Sequence, residues 1–339
     1  MKHKRILIIQ TAFLGDVILC TPLIKALREL FPNSFISFLL IPETEKILEN
    51  NPHLNEILVY DKRKKKGLKN FLQILSRIRE RRFDLAVIPH RSLRSALLAC
   101  FSKIPQRIGF DKSTGSFLFT HKIVYPLNVH EVDRNLSLLS SFNAHLGGTS
   151  PELFPSSQDF SYAHKLLRDS DIREEDKIVG VAPGSVWATK RWLPERFAEV
   201  SDLLLEKEAK VVFLGAEDDR KLCEKIADLM KAKPTILAGR TDILQSAALI
   251  SFCQVILSND SAPVHIASAM KRPVVAIFGS TTPKFGFAPY GVDYHILQKK
   301  MDCRPCGIHG RGKCPQKHFR CMKDITTEEV FQVVLSRLT

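Results

Sequence analysis

Between Val255 and Gly279 the chain reads as strand, polar turn, helix and strand. Val255-Ile256-Leu257 is a buried-type apolar run. Ser258-Asn259-Asp260-Ser261-Ala262-Pro263-Val264-His265 is a polar turn that opens the helical segment Ile266–Met270, and Pro273–Gly279 closes the unit. Two such runs with a helix between them predict a parallel βαβ unit. The turn lies at the carboxyl end of a strand, where open α/β sheets bind ligands. It is also the amino end of a helix, where free amide N–H groups favour a phosphate. An Asp or Ser that only caps the helix explains the turn alone equally well.

The rest of the chain repeats this alternation twice. In the first half Arg5–Gln10 is a strand, and Thr11–Asp16 turns into a helix running to about Leu30. Apolar runs at Phe35–Ile41, Glu56–Tyr60, Leu85–Pro89 and Ile123–Tyr125 alternate with helical patterns, one of them over Leu68–Arg81. Gly, Thr, Ser and Pro break the pattern around Gly147–Asp159. A second series then begins at Ile178–Ala182 and continues through Val211–Gly215 and Thr235–Ala238 to the central stretch. At 339 residues the chain exceeds one comfortable core. The expected fold is α/β: two similar-sized domains with mostly parallel sheets, 1–155 and 156–325, facing a central cleft. A terminal helix in 326–339 is expected to pack back on the first domain.

A formal net charge of +14 points to an acidic partner. The aromatic motifs of an RNA-binding module are absent, so nucleic acid is not the expected one. No apolar run is long enough to span a bilayer. The basic start and following apolar residues superficially resemble a signal peptide, but Gln10 and Asp16 interrupt them, and a cytoplasmic protein is expected. Cys20, Cys100, Cys223 and Cys253 lie in apolar segments, as reduced buried thiols do.

Several loops offer chemistry. Gly15 and Asp16 stand where the first strand becomes a helix; Gly15 permits close backbone approach to a ligand. Asp16 is either an N-cap or a carboxylate able to take a proton from a hydroxyl as that oxygen forms a bond. In the second half Pro183-Gly184-Ser185 follows a strand, with Lys190-Arg191 close behind. Such a loop can hold a diphosphate through backbone amides and point charges. Glu217, after another strand, can accept hydrogen bonds from ribose hydroxyls or simply complement a helix dipole. Neither a Walker loop nor a strand-linked Gly-x-Gly-x-x-Gly occurs, which argues against a nicotinamide cofactor. The tail carries Cys303, Cys306, Cys314 and Cys321, with His309 and His318 nearby, in a spacing that suggests a structural zinc site as a minority reading.

Taken together, Leu14-Gly15-Asp16-Val17, Pro183-Gly184-Ser185 with Thr189-Lys190-Arg191-Trp192-Leu193-Pro194, and Ser258-Asn259-Asp260-Ser261 with His265 and Arg272–Gly279 resemble the heptosyltransferase family in the same order along the chain. The cysteine tail resembles the branch that adds the second heptose. The resemblance implies a GT-B fold of two Rossmann-like domains, an acceptor-binding first domain carrying the base and a nucleotide-sugar-binding second domain. It also implies inverting transfer of L-glycero-D-manno-heptose from ADP-heptose to the lipopolysaccharide inner core, with no cofactor or metal. On this resemblance Asp16 falls on the base and Lys190 on the diphosphate lysine. Gly15, Ser185, Glu217, Asp260, Ser261, Ala262 and His265 fall on or near donor contacts. Ala262 stands where the family usually has Gly, and its Cβ is expected to crowd a phosphate or change the turn.

The implied acceptor is a phosphorylated, lipid-linked core oligosaccharide, with Arg91 and Arg94 as its candidate contacts. Lys62–Lys66 are expected to draw the enzyme to the anionic inner leaflet, or to form a solvated loop. His130, Glu131 and Arg134 begin a helix expected to face the same cleft. A related transferase with another sugar or acceptor, and a noncatalytic nucleotide- or nucleic-acid-binding protein, remain as alternatives.

Overall fold

The computed structural model describes residues 3–62, 67–142 and 149–338. The chain divides into two units, Met1–Phe154 and Pro155–Thr339.

In the first unit β1 (Arg5–Ile9), β2 (Phe35–Leu40), β3 (Glu56–Val59), β4 (Leu85–Ile88), β5 (Gln106–Phe110) and β6 (His121–Ile123) form a parallel sheet ordered β3-β2-β1-β4-β5-β6. Its helices are α1 (Leu14–Ile18), α2 (Thr21–Leu30), α3 (Gly67–Glu80), α4 (Leu93–Phe101) and α5 (Glu131–Ser137). The central strands are apolar on both faces because helices cover both; Ile6–Ile9 and Leu85–Ile88 are fully buried. The single helix expected over 16–30 is broken after Ile18. Thr21 Oγ1 donates to the Ile18 carbonyl at 2.8 Å, and Pro22, lacking an N–H, sits in the first turn of a new helix. β5 was not anticipated, because Arg107 and Gly109 interrupt its apolar run. β6 ends at Ile123, so Tyr125 lies beyond the strand.

The second unit repeats the plan. β7 (Ile178–Ala182), β8 (Lys210–Phe213), β9 (Thr235–Ile236), β10 (Val255–Asn259), β11 (Val274–Ile277) and β12 (Tyr294–Leu297) are parallel in the order β12-β11-β10-β7-β8-β9. Its helices are α6 (Ser157–Arg168), α7 (Pro194–Leu205), α8 (Glu217–Leu229), α9 (Ile243–Ser251), α10 (Ala262–Ala269), α11 (Arg320–Lys323) and α12 (Thr327–Leu335). Trp192 anchors the core: it meets Phe197 edge-to-face at 5.1 Å, and its Nε1 donates to the Ile325 carbonyl at 3.3 Å. The buried face of α12, Val330, Phe331 and Val334, belongs to the second unit's own core beside α7. An apolar stripe goes where the nearest uncovered apolar surface is, and α7 supplies it.

Both sheets have the 3-2-1-4-5-6 order of a doubly wound fold, so each has a topological switch point between its first and fourth strands. Among the described residues no helix is long and apolar enough to cross a membrane.

Candidate active site

In the second unit the switch point lies between β7 and β10, which pair with Ala182 beside Ser258. The loops leaving their carboxyl ends are Pro183-Gly184-Ser185 and Asp260-Ser261. Ser258, Asn259, Asp260, Thr189, Ser280 and Thr281 are all buried here. Such a concentration of buried polar groups demands partners. Asn259 meets the demand with its whole amide: Nδ2 donates to the Pro183 carbonyl at 2.7 Å, and Oδ1 accepts from Trp192 N–H at 3.0 Å. One side chain thus joins the Gly-Ser loop to the Lys-Arg loop. Arg191 adds a second tie, Nε donating to the Ser185 carbonyl at 2.7 Å.

Lys190 ends a 3₁₀ turn, Ala188–Lys190, and is nearly buried. Its Nζ is 2.7 Å from Asp260 Oδ2, which also accepts from Thr281 Oγ1 at 2.6 Å. Ser261 is the N-cap of α10, and Ala262 and Pro263 are its first residues. Ala262 therefore occupies an ordinary right-handed helical position, where a Cβ is normal. His265 lies buried within the same helix, its ring 6.4 Å from that of Phe287. Glu217 begins α8 at the end of β8, the strand next to β7. Asp219, two residues on, presses against the Gly-Ser loop: a Cβ on Gly184 would lie 2.1 Å from its Oδ1. Burial raises the Asp219 carboxyl above its ordinary value, while a hydrogen bond from Ala216 N–H opposes the shift.

In the first unit the switch point lies between β1 and β4. Asp16 is the third residue of α1, and its Oδ2 accepts from Phe13 N–H at 3.2 Å. After β4, His90 Nδ1 is 3.0 Å from both Thr11 Oγ1 and Ser95 Oγ. Burial pushes the His90 pKa down to about 4, helped by the positive charges of Lys62 and Arg91. Lys62 Nζ donates to the Thr11 carbonyl at 2.6 Å.

Arg91 and Arg134 stack on one ring, Tyr125, at 4.5 and 4.7 Å from its centroid. Arg134 is ion-paired with Glu131 at the start of α5. Burial pushes the Glu131 carboxyl up to about 7; Arg134 opposes this and the Asp16 charge adds to it. Asn135 Nδ2 donates to the Leu19 carbonyl at 3.1 Å, tying α5 to the end of the segment that carries Asp16. Burial raises the pKa of the Tyr60 hydroxyl, and Arg94 opposes that shift. Arg63, Lys64, Lys65 and Lys66 lie outside the described residues.

In the cysteine tail Cys303 Sγ is 3.7 Å from His318 Nε2, and Cys306 Sγ donates to the Cys303 carbonyl at 3.4 Å. Cys321 belongs to the second unit's apolar core, and burial pushes its thiol up to about 11. Among the described residues no group of three or more His, Cys, Asp or Glu side chains is placed to hold a metal ion.

The sequence assigned no role to Asn259, Thr281 or Arg304, and Asp219 read only as one of three acids complementing a helix dipole. Asn259 had a signal, since it ends an apolar strand. The contact of Asp219 with Gly184 and the bonds of Arg304 to the Phe278–Thr281 loop join residues distant in sequence and left none.

A sequence model of glycosyltransferase family 9 (heptosyltransferase) matches residues 71–312. Lipopolysaccharide heptosyltransferase 2 of Salmonella typhimurium is 27% identical over 99% of both chains. Lipopolysaccharide heptosyltransferase 3 of Escherichia coli is 31% identical over 80% of this chain and 81% of its own. The fold of a family 9 glycosyl transferase from Veillonella parvula superposes with a TM-score of 0.89 at 24% identity, covering 100% of this chain and 98% of that one. By sequence match over most of its length, and with two doubly wound sheets as its fold, the chain belongs to glycosyltransferase family 9, the heptosyltransferases.

Proposed function

We propose that this enzyme transfers L-glycero-D-manno-heptose from ADP-heptose to the inner core of lipopolysaccharide, as its second heptose, with inversion at the anomeric carbon. Family membership supports heptose transfer, and full-length similarity to a heptosyltransferase 2 supports the second position. The observation that carries the donor assignment is the buried Lys190–Asp260 pair at the switch point, directly before the amino end of α10.

The chemistry then follows from charge. The acceptor hydroxyl attacks the anomeric carbon while Asp16 takes its proton. The bond to ADP breaks, and the negative charge developing on the diphosphate is met by Lys190 and the first N–H groups of α10. Fixed positive groups of this kind can replace a metal ion, so we assign no cofactor and a metal-independent reaction. Gly15, Ser185, Glu217, Ser261, Ala262 and His265 complete the proposed donor and reaction site. A charge of +14 suits a phosphorylated, lipid-linked acceptor. Arg91, exposed and stacked on Tyr125, is the favoured acceptor contact; Arg94 is the second. Peripheral attachment to the cytoplasmic leaflet completes the proposal.

Calorimetric titration of ADP and UDP, in EDTA and then with Mg²⁺, tests the donor assignment. ADP is expected to bind more tightly than UDP, with the same affinity in both buffers. Absence of ADP binding, or binding only with Mg²⁺, overturns it.

A further inference from the structure

The segment that carries Cys303 and Cys306 is bonded to the two loops that hold the Lys190–Asp260 pair. Cys306 N–H donates to the Ser280 carbonyl at 2.8 Å, and Ser280 Oγ is 3.0 Å from Thr189 Oγ1. Arg311 brackets the same threonine: its N–H donates to Thr189 Oγ1 at 2.8 Å, and its carbonyl accepts from Thr189 N–H at 3.0 Å. Gly310, at φ +85°, packs on the lysine itself, and a Cβ there would lie 2.9 Å from Lys190 Cγ. A left-handed backbone and close approach together require glycine at this position.

Arg304 fastens this segment to the loop after β11. Its half-buried guanidinium donates to the carbonyls of Thr281 at 2.6 Å and Phe278 at 3.1 Å, to Gln298 Oε1 at 3.3 Å, and to the Lys299 carbonyl. Burial lowers its pKa, and the neighbouring thiols of Cys321, Cys306 and Cys303 oppose that shift. The same Thr281 whose carbonyl Arg304 holds donates its hydroxyl to Asp260. A continuous chain therefore runs Arg304–Thr281–Asp260–Lys190, and a second runs Cys306–Ser280–Thr189, ending one residue from Lys190.

We propose that residues 303–311 are a positioning element of the donor site, with Arg304 its principal positioning residue, fixing Lys190 for a nucleoside diphosphate. This rests on Lys190 and Asp260 being the diphosphate site. Arg304 touches neither reacting atom; it acts through Thr281. The fork of a guanidinium suits several carbonyls at once, which an ammonium cannot satisfy equally.

The experiment compares the full-length protein with Arg304→Gln, Arg304→Lys and Gly310→Ala, using ADP as the probe. Affinity is read by calorimetry and by the ADP-induced rise in Tm, which depends on ligand occupancy rather than on the stability of the free protein. R304Q and G310A are each expected to weaken ADP about tenfold or more and to shrink the ADP-induced shift, with R304K between R304Q and wild type. ADP affinity unchanged in both R304Q and G310A overturns the inference. So does a lowered Tm of the free protein with an undiminished ADP-induced shift. Should R304Q fail to fold, G310A, a substitution on the loop itself, decides the matter alone. Failure of the wild-type protein to bind ADP overturns the underlying site assignment instead, and the inference with it.

Discussion

Lys190 and Asp260, seventy residues apart in the chain, form an ion pair of 2.7 Å in which both side chains are largely withdrawn from water. Asp260 Oδ2 also accepts from Thr281, so the carboxylate is doubly satisfied. The cation assigned to the donor diphosphate is thus already compensated before any ligand arrives. A diphosphate has to share Lys190 with a fixed carboxylate, which keeps the lysine placed at the expense of some attraction.

Truncating the lysine should therefore do more than delete one contact. Lys190→Ala leaves Asp260 buried without its cation, a change that costs about 3–5 kcal/mol in comparable pairs. The remaining charge also repels ADP. The double variant K190A/D260N removes that charge, so it should regain stability and some ADP affinity relative to K190A. Thermal melts and calorimetry on the two variants check this. A double variant no better than K190A would mean that the side chain of Asp260, left without its partner, is not what weakens K190A.

Asp16 is the proposed base, and asparagine keeps its shape without its basicity. Asp16→Asn should lower turnover by about 10²–10⁴-fold, the range of general base catalysis, while ADP binding is retained. The Oδ atom that accepts from Phe13 N–H survives in asparagine, so the start of α1 should hold. Single-turnover rates with ADP calorimetry separate the outcomes. Loss of ADP binding together with turnover would assign Asp16 a structural role.

How much of this was readable from residues alone varies with the range of the interaction. The α/β alternation and the unit boundary near 155 are local properties, written in apolar runs and a Gly-Ser-Pro break. The turn at Asp260 was legible because strand, turn and helix are contiguous. That Lys190 would pair with Asp260 itself was not, because strands 7 and 10 become neighbours only through the sheet order. Arg191, read with Lys190 as a diphosphate clamp, also holds the Ser185 carbonyl through its Nε. Composition cannot tell which backbone group an adjacent cation will meet. Cys321 read as one of four equivalent thiols, yet it lies in the core, since α11 turns it toward the apolar side.

Two titrating groups in the first unit should give opposing pH dependences. His90 has its pKa lowered to about 4 from 6.5 by burial and by Lys62 and Arg91. Its contribution to stability is present above 6.5 and is lost as pH falls toward 4, by up to about 3 kcal/mol. Glu131, raised from 4.5 to about 7 by burial and the Asp16 charge against Arg134, acts the other way. Its contribution is full below 4.5 and is lost as pH rises through about 7. The two slopes offset each other in the wild-type protein. Glu131→Gln removes one, so the Tm of E131Q should fall more steeply than that of wild type on acidification from pH 6.5 to 4. Parallel curves for the two proteins would show that Glu131 does not titrate in this window.

Gly184 separates the Gly-Ser loop from Asp219 by less than a methyl group. In Gly184→Ala the new Cβ would lie 2.1 Å from Asp219 Oδ1 and 2.3 Å from its Cγ, so one partner must move. Asp219 is held by Ala216 N–H at the start of α8, whereas the loop is held by Asn259 and Arg191. Overpacking of this kind costs about 1–3 kcal/mol. If the loop is displaced, Ser185 moves with it and ADP affinity falls. Asp219→Ala in the same chain removes the obstacle, so G184A/D219A should bind ADP better than G184A alone. Calorimetry on the pair tests this directly, and equal affinities would place the fault in the backbone of residue 184 rather than in its contact with Asp219.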